Sequence, residues 1–184
     1  MTSSTEIPFK IAVPEAQISL LQQKLAVATL PDELPDSGWD YGVPLGDIER
    51  LVHHWKEKYD WQKHEAELNA ELPQFTLDIE VDGGFGTINV HYVHKKSDVK
   101  NAIPLLFVHG CKLPDRCTID DLLTIYTGPG SFAEVRKILP LLIKASPDHP
   151  SFHVVAPSLP GYVFSSAPTK KGFSIPQYAE VGPA

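Results

Sequence analysis

Apolar residues recur at three-to-four spacing in the N-terminal third of the chain, and after Pro73 the period changes to two. Ile18, Leu21, Leu25 and Ala28 predict a helix that opens at Pro14, whose fixed φ suits a first turn, and stops near Leu30 before Pro31. A stretch dense in Pro, Gly and Asp follows, LPDELPDSGWDYGVPLGD, and reads as a turn-rich connection. Trp39 and Tyr41 lie within it and are expected to pack against something, because both carry large apolar area. From Asp47 the helical period resumes with Ile48, Leu51, Val52, Trp55 and Tyr59 on one face, and a shorter helix is expected over 61–70.

The two-residue period predicts strands at FTLDIEV and TINVHYVHK, joined as a hairpin by the turn residues DGGFG. PLLFVH (Pro104 to His109) and FHVVAP (Phe152 to Pro157) are short apolar runs of the kind found in strands buried on both faces. Between them Phe132, Val135, Ile138, Leu139 and Leu142 mark an amphipathic helix. Strand, helix and strand together predict a βαβ unit with a parallel pair and a right-handed crossover. Ligands of such sheets sit at the carboxyl ends of the strands, here His109-Gly110 and the run from Pro157 to Gly161.

Composition narrows the function classes. With 42% hydrophobic and 21% charged residues the chain has the balance of a soluble globular protein, and 184 residues suffice for one core or for a segment leaning on part of a larger domain. A net charge of -7 without Lys/Arg clusters argues against nucleic acid or an anionic membrane as partner. The first residues carry no apolar stretch long enough for a signal peptide or membrane anchor, so a soluble, cytoplasmic protein is expected. The two cysteines, Cys111 and Cys117, match no common zinc or redox spacing.

Among the eight histidines, His91 and His94 point to opposite faces of a strand, and no H-E-x-x-H occurs, so no metal site is expected. No G-x-S-x-G elbow supplies a serine nucleophile, and DGGFG links two strands rather than a strand and a helix, which leaves no phosphate-binding loop and no cofactor. His109 stands apart because it ends a strand at the ligand-binding edge. It reads as a structural histidine hydrogen-bonding local backbone or as a site residue, and in either role it shapes the adjoining loop.

LPDELPDSGWDYGVPL, HHWKEKYDWQKHEAELNAELPQF and GTINVHYVHKKS, followed by PLLFVHG, PGSFAEV and HVVAPSLPGYVFSS, resemble in content and order the N-terminal region of microsomal-type epoxide hydrolases, the branch with fungal, bacterial and juvenile-hormone-processing members. The resemblance implies an α/β fold. A helical brace segment (1–73) is followed by the first part of an α/β-hydrolase sheet (74–184), truncated relative to the family. It implies hydrolysis of a small-molecule epoxide to a vicinal diol through an aspartyl ester, without a cofactor, and it allows a homodimer. The family's aspartate nucleophile, lid tyrosines and catalytic histidine would lie beyond Ala184, so no catalytic residue is expected among these 184. What the chain would retain is the loop whose backbone N–H groups stabilise an oxyanion, at His109, Gly110 and Pro129. The alternative is a non-catalytic fragment or an interaction domain.

Two departures from the family pattern stand out. Val163 replaces the glycine usual in GYGFS. The loop HGWPGSF has one tryptophan where this chain has eighteen residues, Cys111 to Gly128. Codons for Cys111-Lys112 allow a donor-like GTAAG, those for Thr127-Gly128 allow an AG end, and joining the leftover bases restores TGG for tryptophan. The segment 111–127 is therefore expected to be mostly translated intron, against the alternative of a natural loop insertion, which is expensive to order in such a loop.

Overall fold

The computed structural model describes residues 5–109 and 130–182. Two compact units emerge, one of residues 11–67 and one of residues 1–10 with 68–184.

The first unit is helical. Helix α1 (Glu15–Ala26) starts after Pro14, as the periodicity predicts, but ends one turn earlier than expected. Beyond it Val27 and Thr29 are β-branched and Leu30 precedes Pro31, each of which disfavours helical backbone. Helix α2 (Leu45–Glu57) follows Pro44, and its first N–H, which has no partner inside the helix, donates to Glu33 Oε1 at 2.7 Å. Helix α3 (Trp61–Glu71) begins here, and Glu65 Oε1 accepts the Val13 N–H at 2.7 Å and the Trp61 Nε1–H at 3.3 Å. Trp39 and Tyr41 do not pack as expected: they are 67% and 84% exposed. Their aromatic area predicted burial, but they lie in a turn-rich stretch with Asp36, Gly38 and Gly42 at positive φ, and neither ring is covered.

The second unit holds an open five-stranded sheet. Strands β1 (Ile7–Phe9), β2 (Gln74–Val81), β3 (Gly86–Lys95), β4 (Ile103–Leu106) and β5 (Phe152–Pro157) lie in the order β1-β2-β3-β5-β4. β1 is a strand that the polar/apolar pattern did not signal; three residues are too few to show a period. β2 and β3 form the predicted hairpin, whose turn carries Gly83 and Gly84 at φ +74° and +73°. β3 runs antiparallel to β5, and β4 runs parallel to β5.

Helix α4 (Val135–Ile143) supplies the crossover and packs on β5, with Val135 and Leu139 buried. It is preceded by a 3-10 turn, Phe132–Glu134, fixed by a capping box. Ser131 Oγ accepts the Ala133 N–H at 3.2 Å, and Glu134 Oε1 accepts the Ser131 N–H at 3.0 Å. On the other face, helix α5 (Ile175–Val181) sets Val181 against Val81, Ile88 and Val90. The result is a mixed α/β architecture with an open sheet flanked by helices.

One strand expectation is corrected. β4 is shorter than the predicted 104–109 and is not buried on both faces; Ile103 is 47% exposed. Among the described residues β4 is the sheet's edge, with β5 as its single strand neighbour. The ladder nevertheless continues past β4, since the Phe107 N–H donates to Val155 O at 2.8 Å.

Candidate functional site

The carboxyl ends of the parallel pair bring His109 and the residues from Ser158 onward to one edge of the sheet. His109 is 2% exposed, and its Nε2 has no hydrogen-bond partner among the described residues. Burial pulls its pKa down, and the Glu134 carboxylate opposes part of that shift. The ring of Tyr162 meets it edge-on, with centroids 5.8 Å apart and planes at 69°. Tyr162 is half-exposed, so the pair joins a buried imidazole to an accessible phenol. Gly110 and Pro129, the other two residues expected at this loop, lie outside the described residues, as does the whole 111–128 segment.

The loop bearing Tyr162 is tightly wound. The Gly161 N–H donates to Ser166 O at 3.0 Å, Tyr162 N–H to Leu159 O at 2.8 Å and Ser165 N–H to Tyr162 O at 3.0 Å. Gly161 has φ +84°, and Val163 has φ +50°, a left-handed backbone that a β-branched residue rarely adopts. Val163, where the resemblance implies a glycine, thus holds a position whose backbone favours glycine.

Beneath this loop sits His91, which sequence reasoning passed over as unremarkable. It is fully buried among the rings of Phe9, Phe132 and Phe164, at centroid distances of 4.8, 4.7 and 5.2 Å. Its Nε2 lies 3.0 Å from Gln74 Oε1, an acceptor, so Nε2 carries the proton. Its Nδ1, 2.8 Å from Ser158 Oγ, then accepts the serine hydroxyl. Desolvation lowers its pKa to about 4, which keeps the ring neutral at pH 7. The signal that could have found it is the alternation of β3: His91 falls on the same face as buried Val93, where a polar residue must have partners.

This edge gathers the hydroxyls of Ser158, Ser165 and Tyr162 beside two buried imidazoles. No aspartate among the described residues stands between a strand of the parallel pair and the helix that follows; Asp98 comes before β4 and Asp148 before β5. No group of three metal-ligating side chains occurs among the described residues. None of the described helices is long and apolar enough to cross a membrane.

Comparison with known proteins matches the family described as Epoxide hydrolase N terminus to residues 6–114. A protein of Stigmatella aurantiaca, assigned by name to the epoxide hydrolases, is 34% identical over 177 residues, covering 94% of this chain and 35% of that protein. Juvenile hormone epoxide hydrolase 2 of Ctenocephalides felis is 32% identical, over 95% of this chain and 33% of its own length. The solved structure of Aspergillus niger epoxide hydrolase superposes with a TM-score of 0.72 at 29% identity, covering 96% of this chain and 41% of that one. This chain thus spans about a third of the length of the curated relatives it matches. With the family's match running from residue 6 to residue 114, across the helical unit, the hairpin and β4, the chain belongs to the epoxide hydrolase N-terminal family.

Proposed function

We propose that this chain is the N-terminal portion of an enzyme that opens small-molecule epoxides to vicinal diols through an aspartyl-ester intermediate. The observation that carries this reading is the family match over residues 6–114 together with the carboxyl edge at which His109 and the Tyr162 loop meet. On this reading residues 1–73 act as the helical brace and residues 74–184 begin the α/β-hydrolase core. The loop through His109, Gly110 and Pro129 offers backbone N–H groups to the oxyanion of ester hydrolysis. The aspartate, the catalytic histidine and the proton-donating tyrosines belong to the portion of the relatives that these 184 residues do not span.

The microsomal and juvenile-hormone branch is the one whose motifs the sequence resembles; this reading includes a soluble cytoplasmic enzyme able to form a homodimer, and a net charge of -7 without a basic patch suits solubility. The segment 111–127 belongs to this proposal as mostly translated intron, with a single tryptophan joining Gly110 to Pro129 in the functional loop.

The ester step has a direct test. A single turnover of the complete, spliced enzyme in oxygen-18 water gives a diol without label, because water attacks the ester carbonyl and the oxygen leaving with the diol comes from the aspartate. Label in the first-turnover diol would show direct water attack on the epoxide and sink the covalent mechanism.

A further inference from the structure

Three hydrogen bonds tie His91 to the two ends of one loop, and a fourth joins those ends to each other. At the loop's start, Ser158 donates its hydroxyl to His91 Nδ1 at 2.8 Å and its backbone N–H to His91 O at 2.8 Å. At the loop's end, the His91 N–H donates to Ser165 Oγ at 2.9 Å, and that hydroxyl in turn donates to Ser158 O at 2.6 Å. Phe164, one residue before Ser165, packs its ring on the imidazole. Ser158 and Ser165 are thus held to one strand residue and to each other; between them Pro160 is buried and Phe164 packs on His91, while Gly161, Tyr162 and Val163 are exposed at the loop's tip. The ring of Tyr162 meets His109.

We propose that His91 is a positioning residue: its ring on Ser158 and its backbone N–H on Ser165 clamp both ends of the Leu159–Phe164 loop, and the clamp holds Tyr162 against His109. The geometry requires a histidine in its neutral form. Gln74 Oε1 needs a donor and the Ser158 hydroxyl needs an acceptor, and a neutral imidazole presents one of each on opposite sides of a flat ring that also fits among three phenylalanines. Phenylalanine would fill the volume and leave both partners unsatisfied in a buried place. The clamp also accounts for the backbone at Val163. A β-branched residue at φ +50° persists only where its surroundings over-determine it, and fixing both ends of a six-residue loop does so.

The bearing of this clamp on catalysis rests on the epoxide hydrolase reading; the clamp itself does not. The experiment therefore reads the loop and not turnover. In the 184-residue chain, His91→Phe and Ser165→Ala are compared with the unaltered chain by NMR, following the proton contact between the Tyr162 and His109 rings and the exchange of the Tyr162 and Ser165 amides. The amides of the β2–β3 hairpin serve as the internal reference. The expected result is loss of the ring contact and ~tenfold or greater loss of protection in the loop, with hairpin protection kept. Should His91→Phe fail to fold, Ser165→Ala, which removes a single hydroxyl, carries the same comparison. The ring contact kept in the folded variants overturns the proposal. So does a loss of hairpin and loop protection in step, which would make His91 a core residue with no particular hold on the loop. Absence of diol formation by the complete enzyme, with the clamp behaviour intact, would count against the proposed function alone.

Discussion

His91 Nδ1 accepts the hydroxyl of Ser158 across 2.8 Å, and this contact ties the central hairpin to the carboxyl end of β5 in a place fully shielded from water. Burial of the His91 ring is also expected to make the fold acid-sensitive. The folded pKa of His91 is lowered to about 4, while the unfolded side chain keeps about 6.5. The folded chain therefore binds fewer protons than the unfolded chain between these values, and the contribution to stability is complete above pH 6.5 and lost as pH falls toward 4. One proton of difference weakens folding by about 1.4 kcal/mol per pH unit across the steepest part of that window. Denaturant midpoints at pH 7, 5.5 and 4.5 check this against His91→Gln, whose profile should be flatter; parallel profiles would remove His91 from the acid response.

Val163 provides a stability test at a single position. Its φ of +50° costs a β-branched residue roughly 1–2 kcal/mol, and glycine gives back part of that relief through a larger loss of backbone entropy on folding. The net expectation for Val163→Gly is a gain of about 1 kcal/mol, seen as a higher thermal midpoint. A lower midpoint would mean that the half-exposed valine side chain packs more than its surroundings indicate.

The crossover helix sorts its residues by burial. Leu139 is 4% exposed, and Leu139→Ala should destabilise the sheet unit by about 2–5 kcal/mol, the range for a buried leucine truncated in place. Leu141, two positions on, is 64% exposed, and Leu141→Ala should stay within about 0.5 kcal/mol of the unaltered chain. Equal effects at the two positions would contradict the face of α4 that the structure turns to β5.

How legible the chain is depends on element length. α2 and the β2–β3 hairpin, long and periodic, appear where the apolar spacing places them, and β5 matches its six predicted residues. β1 escaped notice because a three-residue strand has no period, and its place beside β2 is settled by tertiary pairing. β4 was read as doubly buried from its composition, yet its burial depends on neighbours that the pattern within a strand cannot reveal. The site divides similarly. His109 was visible from its place at a strand end, whereas its contact with Tyr162 is made between two separate loops. His91 needed partners 17 and 67 positions away, Gln74 and Ser158, to be recognised as more than one polar residue in a strand.

The loop between His109 and Ser131 gives a prediction at the level of the gene. If 111–127 is translated intron, the mature transcript joins Gly110 to Pro129 through one tryptophan codon, and sequencing the message across that junction reads the answer. A message that keeps the seventeen extra codons would make the segment a true insertion. At the protein level, replacing Cys111–Gly128 by one tryptophan should raise stability by roughly 1–2 kcal/mol through the shorter loop.

The central proposal is that the catalytic groups of the proposed epoxide hydrolase lie outside these 184 residues, while its brace and the loop at His109 lie within them. Diol formation from styrene oxide tests it most directly, measured for three proteins: the chain of 184 residues, the same chain with Cys111–Gly128 replaced by tryptophan, and the spliced chain continued through the remaining core and lid. No diol above the uncatalysed background is expected from the first two and turnover is expected from the third, because an oxyanion loop without a nucleophile has no intermediate to stabilise. Diol formed by either of the first two, or none by the third, would contradict it.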